Sequence, residues 1–374
     1  MTKRKTVSEE THSKDVHIVS IDAGNGMTNA ILAKPNGGYK RVNFPSVRAT
    51  ATGDSLGIGK QFEVSYDFVD WGSHRYMYGD DAIAYARRGL ERHQGAFRYG
   101  DEFHRFLIAV AIGKLGITEG QVDLTMFAPP GMFTEVKRTI KKRFAEAGGK
   151  VAIKFKRKNA VSWQYSDLTL WPEGIGAAAC FALDETGQPA NTDMLDGETV
   201  ILDLGMYTLD ALQMSNGNFN PESLQHATWE NDGIRANILE PILNVLKKQS
   251  ADLQLLTTDD VDRVLRNSIM GGDYVLKAGQ VEVDLEDMFV KYSQRYAERI
   301  ANNIVDGVFN GLRGIRSLIL VGGGAVLVDD YLRQWFDNKV LDFASAATTS
   351  GIHPVDANSI GGIRLAKMRL KQYV

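Results

Sequence analysis

Residues 17–32 read HIVSIDAGNGMTNAIL, and residues 198–213 read ETVILDLGMYTLDALQ. Each is an apolar strand ending in an aspartate, then a glycine-bearing turn, then a second strand. The turn in Asp22-Ala23-Gly24-Asn25-Gly26-Met27-Thr28-Asn29 exposes successive backbone N–H groups as a concave site for an anion. The carboxylate beside it would repel a bare phosphate but suits a Mg²⁺ ion that neutralises one. Alone, the stretch reads better as an ordinary hairpin, because Asn-Gly is the strongest short hairpin signal. The second copy shifts that balance. Asp203-Leu204-Gly205-Met206-Tyr207-Thr208 repeats the Asp-x-Gly arrangement and adds a threonine hydroxyl for phosphate oxygens. The two aspartates stand 181 residues apart in a chain of 374, so the spacing indicates a duplicated domain rather than a solenoid.

A third glycine turn, Gly322-Gly323-Gly324-Ala325, follows the apolar run 317–321 and leaves room for a flat ring against the backbone. Between and after the hairpins, 41–44 and 122–127 read as strands, and 102–114 and 135–147 as helices. Helical patterns dominate 235–310. Another helix is expected near Asp330, capped by Asp329 or Asp330 and burying Tyr331, Leu332, Trp335 and Phe336. A last helix runs from about Ser359, its final turns rich in Lys and Arg. Strands alternating with helices make an α/β protein with mixed sheets.

Composition narrows the function. Hydrophobic residues at 44% and charged residues at 24% are ordinary for a globular protein, and the length suits two units. A net charge of −3 gives no overall electrostatic footprint for direct nucleic-acid binding. No apolar run reaches the ~20 residues of a membrane span. Residues 1–15 read as a disordered polar tail without the apolar segment of a signal peptide, which implies a cytoplasmic protein. Cys180, the single cysteine, reads as a small buried residue. His74, His93, His104, His226 and His353 lack metal-ligand spacing, and Lys154-Phe155-Lys156-Arg157-Lys158 reads as a solvated strand edge.

Taken in order, these turns resemble those of the actin, heat-shock chaperone and sugar kinase superfamily, and most resemble the ParM/Alp bacterial plasmid-segregation actins. Residues 22–29 are similar to the first phosphate motif and 203–210 to the second. Trp171-Pro172-Glu173-Gly174-Ile175-Gly176-Ala177 is similar to the first connecting helix, 317–325 to the adenosine motif, and Asp356-Ala357-Asn358-Ser359-Ile360-Gly361 to the second connecting segment. The resemblance covers about residue 16 to 374. It implies a two-lobed, ribonuclease H-like duplicated α/β fold with a nucleotide cleft between the lobes. Domain I would take 16–170 plus 357–374, and domain II 171–356. It further implies ATP or GTP with Mg²⁺, the metal held by Asp22 and Asp203. Nucleotide contacts would come from Asp22, Gly24, Asn25, Gly26, Met27, Thr28, Gly205, Met206, Tyr207, Thr208, Gly233, Gly322, Gly323, Gly324 and Ala325. Arg263 is a further candidate near the base. The family often has Lys or Ser/Thr where this chain has Asn25 and Met27, and small residues where it has Met206 and Tyr207.

Glu173 has two readings. After Pro172, a glutamate suits the positive end of a helix. By resemblance it orients or deprotonates the water that attacks the γ-phosphate, a reaction that needs mainly positioning, with Asp203 as its catalytic companion. The small residues behind it, Gly174, Gly176 and Ala177–Ala179, would let this helix cross the one after Asn358 closely, as a hinge. The implied function is a filament-forming, slowly hydrolysing ATPase that segregates plasmid or other DNA. Its partners would be further copies of itself and a small DNA-binding adaptor of the ParR type, with no direct nucleic-acid or membrane contact. A small-molecule kinase of the same superfamily is the alternative, although no Asp-rich sugar signature lies between the phosphate motifs. A chaperone ATPase would need a substrate domain after Val374. A dinucleotide enzyme would need a G-x-G-x-x-G opening a helix.

Overall fold

Val16–Ala23 (β1) and Met27–Ala33 (β2) pair antiparallel across the Gly24–Gly26 turn, with Asp22 opposite Asn29. The computed structural model describes residues 16–51, 66–86, 89–156, 159–219, 228–346 and 351–371. The expected tail 1–15, Arg157, Lys158 and His226 therefore lie outside the described residues. The first sheet continues with Tyr39–Pro45 (β3), Arg48–Thr50 (β4), Phe68–Trp71 (β5), His74–Tyr78 (β6), Gln121–Ala128 (β7), Lys150–Phe155 (β8) and Ala160–Pro172 (β9). Its nine strands run in the order β3-β2-β1-β7-β9-β8-β5-β6-β4.

The second hairpin, Glu198–Leu204 (β10) and Thr208–Ser215 (β11), sets Asp203 opposite Asp210, the same register as Asp22 and Asn29. With Asn218–Phe219 (β12) and Thr228–Glu230 (β13) it belongs to a five-stranded sheet. A separate ribbon, Val275–Ala278 (β14) and Val281–Asp284 (β15), precedes the sheet's last strand, Ile315–Val321 (β16). The duplication extends past the hairpins, because β1 pairs in parallel with β7 as β10 does with β16.

Nine α-helices are described: Gly79–Tyr85 (α1), Glu102–Lys114 (α2), Phe133–Glu146 (α3), Ile175–Ala182 (α4), Glu240–Gln249 (α5), Thr258–Ile269 (α6), Glu286–Arg299 (α7), Ala325–Phe336 (α8) and Ala357–Lys371 (α9). α2 is buried almost all round, since nine of its thirteen residues lie in the core. Period-two alternation sorts the second sheet between two apolar cores. Ile201, Leu212, Ile319 and Val321 join the core shared with β1, β7, α4 and α9. Val200, Leu202, Leu204, Leu318 and Leu320 face the core built with α5 to α8. On that pattern Asp203 falls on the Ile201 side, toward α9.

Three expectations need correction. Lys154 and Phe155 do not lie on a strand edge, because β8 pairs with β9 on one side and β5 on the other, while the mainly helical 235–310 also holds the β14–β15 ribbon across the Gly279 turn. α8 begins at Ala325, directly after the glycine turn, so neither Asp329 nor Asp330 caps it. Asp329 instead pairs with Arg333 one turn on, and Trp335 is exposed rather than buried. Finally, β9 runs to Pro172 and α4 starts only at Ile175. Glu173 therefore sits in the turn, not at the helix start, and Gly174 at φ 92° makes that turn possible.

Candidate functional site

The two hairpin carboxylates meet on one side chain. Asn358, buried at the start of α9, donates from Nδ2 to Asp203 Oδ2 at 2.7 Å and to Asp22 Oδ2 at 3.3 Å. Its Oδ1 accepts the Gly174 N–H at 3.0 Å, next to Glu173. Both N–H donors of this amide and one lone pair of its oxygen are thus used between the two hairpins and the α4 turn. The helices that carry these groups cross in near backbone contact. A Cβ on Gly361 would overlap the Gly176 carbonyl, and one on Gly176 would overlap the Asn358 backbone.

Four carboxylates share the site and strain its electrostatics. Burial pushes the Asp203 carboxyl well above its usual range, and repulsion from Asp22 and Asp210 adds to this against the Asn358 hydrogen bond. Burial likewise raises Glu173 well above normal, reinforced by Asp210, Asp22 and Asp203 and opposed by Arg98. Asp22 is raised by burial, with Asn358 and Arg98 opposing. Asp210 is pushed up to about 6, chiefly by burial, although the Thr228 and Thr208 hydroxyls donate to it at 2.5 and 2.8 Å. Such a cluster is short of positive charge, which is what a divalent cation supplies. Among the described residues no three acidic, His or Cys side chains are grouped so as to encircle a metal by themselves. That donor set fits Mg²⁺, which keeps several waters and takes other ligands from phosphate.

A cavity of about 890 Å³ opens beside the cluster. Asp22, Gly24, Asn25, Gly26, Met27, Glu173, Asp203, Gly205, Met206, Tyr207, Thr208, Gly322 and Gly323 line it, as does Arg263. Four other expected residues stand behind its wall. Thr28 is fully buried with its hydroxyl 2.9 Å from Ser46 Oγ. Gly233 backs the second loop, where a Cβ would strike the Met206 carbonyl. Gly324 packs on Leu204 and Ile234, and Ala325 is buried as the first residue of α8. These four shape the loops rather than face the cavity. The loops themselves touch, since Gly26 lacks a side chain exactly where Met206 crosses toward it.

Sequence reasoning missed several residues here. Asn358 was legible only as part of a connecting segment. Arg98 gave no signal at all. It is buried, donates to the Ala23 carbonyl, and places Nη1 3.4 Å from the Gly24 carbonyl. It is thereby the cation under the first loop. Tyr99 lines the cavity beside it. On the far wall α6 contributes Asp262, Arg266 and Asn267, and Arg266 bridges to Asp80 of α1 at 2.8 Å. His353, expected to be inert, also lines the cavity.

Known proteins share this organisation. A family described as archaeal actin homologue MreB-like, C-terminal, matches residues 201–334. An archaeal actin homologue of Thermoplasma volcanium is 26% identical over 363 residues, covering 92% of this chain and 97% of its own. The crystal structure of an archaeal actin homologue in complex with ADP superposes with a TM-score of 0.68 at 20% identity, over 96% of this chain and 100% of that one. A 15-stranded ParM filament from Clostridium botulinum gives 0.68 at 18%, over 94% and 99%. A likeness that runs the length of the chain, through both hairpins and the crossing helices behind them, places this protein in the actin-like ATPase superfamily, where it resembles the archaeal actin homologues and the ParM plasmid-segregation actins.

Proposed function

We propose that the chain is a cytoplasmic, nucleotide-dependent filament-forming protein that binds ATP or GTP with Mg²⁺, hydrolyses it slowly, and moves plasmid or other DNA through a ParR-type adaptor. The observation that carries this reading is the shared amide of Asn358. One side chain reads the carboxylates of both phosphate loops at once, so the cavity is a single site spanning two units. The relatives add support: one archaeal actin homologue is described in complex with ADP, and one ParM as a filament. The units are assigned as 16–170 plus 357–374 and 171–356, a division supported by the way α9 packs back on β1, β2 and β7.

Each residue then has a task. Backbone N–H groups of Gly24–Met27 and of Met206 and Tyr207 cradle phosphate oxygens from opposite sides, while the Gly205 N–H closes its turn on the Thr208 carbonyl and the Thr208 hydroxyl donates to Asp210. Gly322 and Gly323 leave the flat space for a nucleoside. Asp22 and Asp203 would hold Mg²⁺, which would neutralise phosphate charge and polarise the transferring group. Burial and the surrounding carboxylates raise the affinity of Glu173 for a proton. Neutralising that charge lowers its affinity for the proton and readies it to accept one from water. Arg98 fixes the carbonyls of the first loop so that its N–H groups stay turned to the cavity.

The test is electron microscopy and pelleting of the purified chain with ATP·Mg²⁺, with ADP·Mg²⁺ and without nucleotide. Filaments that depend on nucleotide are expected. Monomers under all conditions, with phosphate transferred to a small acceptor, would establish the kinase alternative instead.

A further inference from the structure

The two units carry opposite charge. Residues 16–170 with 357–374 hold 26 Lys and Arg against 15 Asp and Glu, while residues 171–356 hold 13 against 28. The net charge of −3 conceals this division. Setting aside the buried charges (Arg48, Arg98, Arg364 and Asp123 in the first unit, six carboxylates in the second) leaves both signs unchanged.

The excess is concentrated on two faces. α3 exposes Lys137, Arg138, Lys141 and Lys142 along one stripe, against Glu135 and Glu146 at its two ends. Of these, Lys137 and Arg138 form no ion pair among the described residues. In the second unit, Asp273, Glu282, Asp284, Glu286 and Asp287 are exposed where the β14–β15 ribbon enters α7. The Leu285 N–H donates to the Tyr274 carbonyl at 3.0 Å and Val275 lies opposite Asp284, which draws these carboxylates together. A helix start accounts for Glu286 and Asp287 but not for the rest. Among the described residues, Glu282 pairs there with Lys277 at 2.9 Å, and the other carboxylates of this face form no ion pair.

We infer that the exposed α3 face of one copy docks on the β15–α7 face of the next, so that assembly is held and ordered by charge. This rests on the self-assembling reading above and names its contact. The two faces differ, so the contact is heterologous and propagates instead of closing as a two-fold dimer does. Opposite faces steer the approach and reject the wrong pairing, basic on basic or acidic on acidic. A second copy fits better than a nucleic acid, which the basic face would attract but the more strongly charged acidic unit would repel.

The experiment measures the critical concentration of the full chain with ATP·Mg²⁺ by light scattering and sedimentation. Raising KCl from about 50 to about 500 mM shortens the screening length severalfold and should raise the critical concentration about tenfold or more. The pair Lys137→Glu with Arg138→Glu should raise it similarly at low salt, as should Asp273→Lys with Asp287→Lys, with ATP affinity and melting temperature at parental values. Mixing the two reversed proteins should restore assembly, because each then offers the face the other lacks. A parent that assembles with no response to salt, and none to either reversal, overturns the inference alone. So does a parent whose basic face retains DNA at physiological salt while its reversal leaves assembly untouched. A parent that stays monomeric with every nucleotide at low salt overturns the self-assembling reading and this inference together.

Discussion

Replacing Asn358 isolates the link between the two phosphate loops. Asn358→Ala strips Asp203 and Asp22 of a buried donor and leaves the Gly174 N–H without its acceptor. Buried groups that lose a partner cost about 1–3 kcal/mol each, and more when charged, so the loss should total ~3–5 kcal/mol. At roughly 2–4 °C per kcal/mol that lowers the melting temperature by roughly 6–20 °C. Asn358→Asp keeps the shape and the acceptor for Gly174 but sets a further carboxylate 2.7 Å from that of Asp203. Its defect is therefore one of charge. Differential scanning fluorimetry should show Asn358→Asp recovering when the pH is lowered to about 5, and on adding ATP·Mg²⁺, while Asn358→Ala recovers much less. Two variants that melt with the parent at every pH and Mg²⁺ concentration would refute the idea that Asn358 couples the loops.

Other outcomes follow from the same geometry. Gly361→Ala should cost more than ~3 kcal/mol in urea denaturation, because its Cβ meets the Gly176 carbonyl and backbone cannot yield as a side chain does. Gly26→Ala should force the loops apart at Met206 and weaken ATP·Mg²⁺ binding in calorimetry, and a partial rescue by Met206→Ala would tie the effect to that contact. Asp210 is raised from its model-compound 3.8 to about 6, so the stability it contributes is complete below about pH 4 and is lost as pH rises through about 6. Nucleotide-free protein should thus lose up to ~3 kcal/mol across that window, and Asp210→Asn should flatten the urea-midpoint profile. Cys180 is buried, with its thiol pushed up to about 12 mainly by burial, and should resist a disulfide reagent until the chain unfolds.

The hairpins were legible because their signals are local. Alternating apolar residues, an aspartate and a glycine turn lie within sixteen residues, twice over, and the structure gives both the same register. The span of α2 was also legible, from Phe103, Phe106, Leu107 and Val110 at helical spacing, and the structure adds Asp101 as its cap. The site was only partly legible, because what unites it is distant in sequence. Asn358 reaches Asp22 across 336 residues and Asp203 across 155. Arg98 looks like any loop arginine until the fold buries it under Ala23 and Gly24. Thr28 failed in the opposite direction: its position in the motif suggested phosphate, but strand alternation turns it inward to Ser46. The start of α4 was misplaced for a similar reason, since Pro172 favours a helix start yet serves equally well as the last residue of a strand.

Glu173 offers the most direct test of the claim that this cleft hydrolyses nucleotide to time the life of an assembly. Its carboxyl lies buried among Asp22, Asp203 and Asp210, and it stands in the turn one residue before the Gly174 cap of α4. Phosphate release and light scattering should be followed on one sample of Glu173→Ala with ATP·Mg²⁺, beside the parent. The expected result is assembly at the parental nucleotide concentration, phosphate release slowed by about 10²–10⁴-fold, and disassembly delayed to match. Parental phosphate release, with parental lifetime of the assembly, would contradict a catalytic Glu173 and leave it a buried residue of the turn.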